Sequence, residues 1–160
     1  MEIEKKYLVN RIPDDLEQYN KWELEQCYLC ERPAIRIRRK NDEYILTYKN
    51  RPADSGIGDN PLCIAQEMEA PLTKEAYEHL REKADGICIV KTRYQIPYED
   101  YVVELDIFHE NYDGFCLAEV EFNSIEEGRN FVPPDWFGRD VSGEIRYTNS
   151  HMALNSNTKT

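Results

Sequence analysis

Met1-Glu2-Ile3-Glu4-Lys5-Lys6 opens the chain, and its reading decides the fold. Side chains alternate across a β-strand, so Glu2, Glu4 and Lys6 fall on one face while Ile3 and Tyr7 fall on the other. Neighbours two apart along a strand lie roughly 6.5 to 7 Å apart, close enough to share one divalent cation or its waters. The spacing recurs down the chain. Arg36 and Arg38 alternate with Ile35 and Ile37, Lys91 and Arg93 flank Thr92, and Glu67 and Glu69 flank Met68. Glu104 and Asp106 alternate with Val103, Leu105 and Ile107, and Glu119 and Glu121 with Val120 and Phe122. An ordinary half-buried sheet turns a face of mixed sign to water, whereas each of these pairs has a single sign. Anion-only strands beside cation-only strands imply polar faces that converge on one lumen, built to hold metal ions and a polyanion.

The remaining signals supply the frame. Residues 34–39 and 43–49 read as a hairpin about Lys40-Asn41-Asp42, which brings Arg36, Arg38 and Lys49 to one surface. Further strands are expected over 22–29, 63–71, 87–96, 101–109 and 115–122. Pro13-Asp14-Asp15 opens a short helix with aspartate as its cap. Thr73 caps a second helix that runs to about Ala84, buries Tyr77 and Leu80, and stops at Gly86. Ser124-x-x-Glu127 is a capping box for a third, ended by Pro133 and Pro134. Residues 50–61 form a loop, and 155–160 a frayed polar tail. About eight strands joined by short turns or a single helix specify a mainly β, α+β chain. They form a closed antiparallel barrel with a polar lumen and a few short flanking helices, in one domain over residues 1–154.

A net charge of −11 excludes a basic surface for nucleic acid or an anionic membrane. No run approaches the roughly 18 apolar residues of a membrane span. The cysteine count of 5 is odd and no leader precedes the first strand, so reduced thiols in the cytoplasm are expected. Cys27-x-x-Cys30 has half the spacing of a zinc site, but Cys63, Cys88 and Cys116 are scattered and no histidine clusters nearby. His79 and His109 read as surface or packing residues.

The opening Glu-x-Glu-x-Lys, Arg36-Ile37-Arg38, Thr47-Tyr48-Lys49, Lys91-Thr92-Arg93, Glu104-Leu105-Asp106 and Glu119-Val120-Glu121 resemble, in order and spacing, the CYTH or triphosphate tunnel metalloenzyme family. The resemblance runs from residue 1 to about 154. It implies that the lumen is a tunnel, and that the segment from Trp136 to Leu154 closes the domain. It also implies that Tyr28, within Gln26-Cys27-Tyr28-Leu29, approaches the tunnel, and that Lys6 sits near the terminal phosphate or the attacking water. Members often carry arginine two residues before the first glutamate of the pair at Glu67 and Glu69. This chain has Ala65 there.

The residue chemistry agrees. Lys6, Arg36, Arg38, Lys49, Lys91 and Arg93 mix planar forks with point charges, which suits a polyphosphate better than a single carboxylate. Glu2, Glu4, Asp106, Glu119 and Glu121 are hard oxygen ligands for Mg2+ or Mn2+, with Glu67, Glu69 and Glu104 as further tunnel carboxylates. Glu2, Glu4 and Lys6 are the expected catalytic set. The expected activity is metal-dependent hydrolysis of triphosphates, foremost inorganic tripolyphosphate, by a positioned water. Thiamine triphosphate hydrolysis, cyclisation of ATP by a class IV-like adenylate cyclase and a non-catalytic polyphosphate-binding module are the alternatives. The sequence leaves oligomeric state open.

Overall fold

A computed structural model describes residues 2–50 and 63–155, so most of the expected loop at 50–61 and of the tail at 155–160 lies outside the described residues. In chain order the elements are β1 (Glu2–Val9), β2 (Asn20–Cys30), β3 (Ala34–Lys40), β4 (Glu43–Asn50), β5 (Cys63–Pro71), α1 (Lys74–Arg81), β6 (Asp85–Tyr98), β7 (Tyr101–His109), β8 (Cys116–Phe122), α2 (Ile125–Asn130), β9 (Phe137–Asp140) and α3 (Asn149–Leu154). The sheet runs β5-β4-β3-β2-β6-β7-β8-β1, and β1 pairs back with β5 through Glu2 opposite Ala65 and Glu4 opposite Cys63. Every pairing is antiparallel, and closure leaves the eight-strand ring no unpaired edge. The short β9 extends the far end of β1, with Tyr7 opposite Asp140.

Closure separates the two parities of each strand. Outward residues of β1, β7 and β8, among them Ile3, Tyr7, Val103, Leu105, Ala118 and Val120, pack under Phe131, Trp136 and Phe137 from the segment that carries α2 and β9. Outward Cys27 and Ile37 pack under Tyr77 of α1. Thr73 caps α1 as expected, accepting from the Ala76 N–H at 3.0 Å. Ser124 caps α2 likewise, accepting from the Glu127 N–H at 3.1 Å.

Several expectations are corrected. Asp15 adopts φ 58, a left-handed backbone rather than the extended one a capping residue uses, makes no side-chain cap bond, and only one tight turn, Leu16–Gln18, follows. Helix α1 ends at Arg81, and Gly86 is the second residue of β6 instead of stopping the helix. Its φ of 64 and the Ala153 carbonyl, which a Cβ would meet at 2.1 Å, explain the glycine: α3 packs directly on that backbone. The closing segment contains β9 and α3, which periodicity over so few residues did not reveal. Cys27 and Cys88 form a disulfide with a Cα–Cα distance of 4.5 Å, so the expectation of wholly reduced thiols fails for this pair. They are 61 residues apart and meet only because β2 pairs with β6. Cys30 is a free thiol, as is Cys116, and the Cys-x-x-Cys binds no shared ion with its first member bridged. Among the described residues, no helix is long and apolar enough to cross a membrane.

Candidate active site

The inward parity changes character along the barrel. At one end Ile89, Phe108 and Leu117 point inward and pack with Val141, Met152 and Ala153, so α3 fills that end with apolar side chains. One step further along the same strands stand Lys91, Asp106 and Glu119. Lys91 and Glu119 begin the lining of a polar cavity of about 350 Å3. Glu2, Glu4, Lys6, Tyr28, Arg36, Arg38, Lys49, Glu67, Glu69, Lys91, Arg93, Glu104 and Glu119 all line it. The structure thus brings together nearly every residue singled out in the sequence. Glu121 stands opposite Glu4 in the pairing of β1 with β8, outside the cavity lining and exposed. Asp106 lies beneath the cavity wall with no exposure.

The depth of Asp106 defines its chemistry. Its Oδ1 accepts from Arg93 Nε at 2.7 Å and its Oδ2 from Arg93 Nη2 at 2.9 Å, while Lys91 Nζ stands 2.7 Å from Oδ2. Both oxygens are engaged, so the structure presents Asp106 as the anchor of two cations rather than as an open ligand. Burial alone would raise its pKa, but Arg93 and Lys91 overcome that and hold it below the ordinary aspartate value. Lys91 is itself pulled below the lysine range by burial, against the opposing pull of Asp106.

Glu119 is the next anchor. It stands 3.4 Å from Lys6 Nζ and 3.8 Å from Arg93 Nη2, and these cations hold its carboxyl well below the glutamate range in spite of burial. Lys6 also donates to the Tyr147 carbonyl at 3.0 Å. Glu104 stands 3.4 Å from Arg93 Nη1, yet burial pushes its pKa up. Lys49 pairs with Glu2, with Glu4 at 3.6 Å and with Glu67 at 4.0 Å. Ala65, buried opposite Glu2, adds no cation of its own to this cluster.

The wall made by β2, β3 and β4 differs. Arg36 Nη2 donates to Thr47 Oγ1 at 3.1 Å, and its Nε is buried without a partner. Arg38 donates from Nε and Nη2 to Gln26 Oε1, at 2.9 and 2.6 Å. Among the described residues, no carboxylate lies within ion-pairing distance of either guanidinium. Gln26 begins the Gln26-Cys27-Tyr28-Leu29 stretch but carries no charge that would mark it in the sequence. Asn149, which accepts from Lys91 Nζ at 2.8 Å, comes from α3 and had no signal in the sequence.

The donor set also fits a hard divalent cation. Glu121, exposed yet partly shielded from water, is pushed up by that shielding and by the charges of Glu2, Glu4, Glu104 and Glu67, the crowding of like carboxylates that a cation relieves. Among the described residues, no three carboxylates are already gathered about one point, and Lys49 holds Glu2 and Glu4.

The chain is 33% identical over 157 residues to an inorganic triphosphatase of Nitrosomonas europaea, covering 96% of this chain and 97% of that one. It is 34% identical to an inorganic triphosphatase of Acetivibrio thermocellus, with 96% and 94% covered. The crystal structure of an inorganic triphosphatase superposes with a TM-score of 0.69 at 32% identity, over 96% of this chain and 95% of the other. An adenylyl cyclase-like protein from Hippeastrum, described as having a dominant triphosphatase activity, shares the fold at a TM-score of 0.60 and 16% identity, over 79% and 82% of the two chains. No protein-family model matches the chain.

Proposed function

From the premise that the chain belongs to the inorganic triphosphatase branch of the CYTH, or triphosphate tunnel metalloenzyme, family, we propose that it hydrolyses inorganic tripolyphosphate with a divalent cation. One observation carries this reading: Arg36 and Arg38, with neutral partners, face a lumen whose other walls are rich in carboxylates. Buried ion pairs seldom stabilise a fold more than apolar packing would, so a lumen this charged points to a ligand.

Arg36 and Arg38 bind phosphoryl oxygens by paired hydrogen bonds, and Lys91, Arg93 and Lys6 add charge along the chain of phosphates. Asp106 and Glu119 hold those three cations in place, so they need no reorganisation as charge grows on the leaving oxygen. Glu2, Glu4, Glu119 and Glu121 would hold Mg2+ or Mn2+, while Asp106, also expected among the ligands, supports Lys91 and Arg93. When bound, the ion supplies neutralisation of phosphoryl oxygens and a more acidic water. Glu2 and Glu4, catalytic residues in this reading, would then exchange Lys49 for the ion, and Lys49, still beside Glu67 at 4.0 Å, would turn toward phosphate. Lys6 is placed beside the terminal phosphate. The reading takes residues 1–154 as one domain, acting in the cytoplasm on a small polyanion, with no nucleic acid or membrane partner.

The test is product analysis with tripolyphosphate, ATP and thiamine triphosphate, each with Mg2+ or Mn2+. Fastest release of phosphate from tripolyphosphate, abolished by EDTA, is the expected result. Pyrophosphate with cyclic AMP from ATP would mean a cyclase, preferential cleavage of thiamine triphosphate would change the substrate, and binding without turnover would mean a polyphosphate-binding module.

A further inference from the structure

Arg38 is gripped by a neutral group that has itself no freedom to turn. Gln26 has no exposure, and its Oε1 takes both the Nε and the Nη2 of Arg38, which fixes the plane of the guanidinium. Its Nε2 donates to Tyr28 Oη at 3.0 Å and to Asn149 Oδ1 at 3.1 Å. Asn149 Oδ1 already accepts from Lys91 and so faces Gln26 as an acceptor. A flipped carboxamide would set its NH2 against the guanidinium and its oxygen against Asn149 Oδ1, so only one orientation satisfies all four groups.

Glutamate at this position would be nearly isosteric and would bond arginine more strongly, through a charge-assisted pair. It would also neutralise it. The amide orients Arg38 while leaving its charge, its Nη1 hydrogens and one Nη2 hydrogen for another acceptor. Burial, together with Arg36 and Arg93, disfavours the charge on Arg38, and an arriving anion relieves that cost.

Resting on the triphosphatase reading of the same lumen, we propose that Gln26 is a positioning residue that makes the β2–β3–β4 wall an anion subsite. It holds Arg38 oriented but unneutralised, so that a phosphoryl group of an inorganic polyphosphate binds there and a metal ion does not. Gln26 acts through Arg38 and touches no reacting atom. Tyr28 and Asn149 hold Gln26 in turn, which ties the subsite to α3.

The experiment measures KM and kcat for tripolyphosphate with Mg2+ on the full chain, for the parent, Gln26→Glu, Gln26→Met, Arg38→Ala and the double variant Gln26→Met with Arg38→Ala. Gln26→Glu should raise KM about tenfold or more, the scale of one charged hydrogen bond, with a smaller change in kcat. Gln26→Met should raise KM in the parent but change it less than about twofold once Arg38 is gone, since coupled residues are not additive. Parental KM in Gln26→Glu, or an equal cost of Gln26→Met in both backgrounds, would overturn the proposal. If either methionine-bearing protein fails to fold, KM of the near-isosteric Gln26→Glu decides alone. A parent that does not cleave tripolyphosphate would remove the functional reading itself, whereas an active parent with an unaffected Gln26→Glu removes only the role of Gln26.

Discussion

Lys91 and Arg38 are cations of one lumen held in opposite ways. Lys91 stands 2.7 Å from Asp106, on a wall where Arg93 and Lys6 also have carboxylate partners. Arg38 is held by the carboxamide of Gln26, and its neighbour Arg36 by the hydroxyl of Thr47. The charge of the first set is already balanced within the fold, so removing a partner there exposes a buried ion. In the proposed reading the charge of the second set serves a ligand, so changes there should register mainly in binding.

Asp106→Asn should have the largest effect on that contrast. It leaves Lys91 and Arg93 buried beside a neutral side chain, a loss of roughly 3 to 5 kcal/mol, or about 6 to 20 °C in Tm for a chain of this size. A thermal melt showing no more than a degree or two of change would mean that the carboxylate wall is not held by its ion pairs.

The acidic mouth should respond less, and with the opposite sign. Partial desolvation and the charges of Glu2, Glu4, Glu104 and Glu67 raise the Glu121 pKa in the folded protein, so the folded state binds that proton more tightly than the unfolded one. The stability this provides is present at low pH and lost as pH rises through the raised value. Above it, in EDTA, Glu121→Gln should melt slightly higher than the parent. Added Mg2+ should stabilise the parent more than the variant, shrinking or reversing the gap, while turnover of the variant nearly disappears. A destabilised variant that keeps its activity would make Glu121 a structural residue.

Outside the lumen, Glu25 gives the baseline. Burial raises its pKa, but hydrogen bonds from Arg81 at 3.0 Å and Tyr77 at 2.7 Å bring it below the usual glutamate value. Its contribution is therefore present above the unfolded pKa and lost as pH falls through the folded one. Glu25→Gln should cost about 1 kcal/mol near neutral pH, and the difference from the parent should close in acid melts. A loss equal to that of Asp106→Asn would erase the distinction between inner and outer ion pairs.

Much of the lumen was legible because parity is a local property. Glu2 with Glu4, Arg36 with Arg38 and Lys91 with Arg93 share a face whatever they later meet, and the caps at Thr73 and Ser124 depend on a few adjacent residues. Depth and partnership are not local. Asp106 and Glu104 have the same parity, yet Asp106 lies beside the end filled by α3 and is sealed between two cations. Gln26 acquires its role only when β2 lies beside β3 and Asn149 arrives from the far end of the chain. The expectations of reduced thiols at Cys27 and Cys88 and of an aspartate-capped helix at residue 15 both fail, the first through strand pairing and the second through a left-handed backbone.

The division of labour between the walls is tested most directly by melting Arg38→Ala and Glu4→Gln, metal-free at the start, with tripolyphosphate alone and with Mg2+ alone. Each ligand stabilises the form that binds it. Arg38→Ala should lose most of the Tm gain from tripolyphosphate and keep the gain from Mg2+, while Glu4→Gln should keep the first and lose the second. If both variants lose both gains to the same extent, the lumen has no separate anion and cation walls.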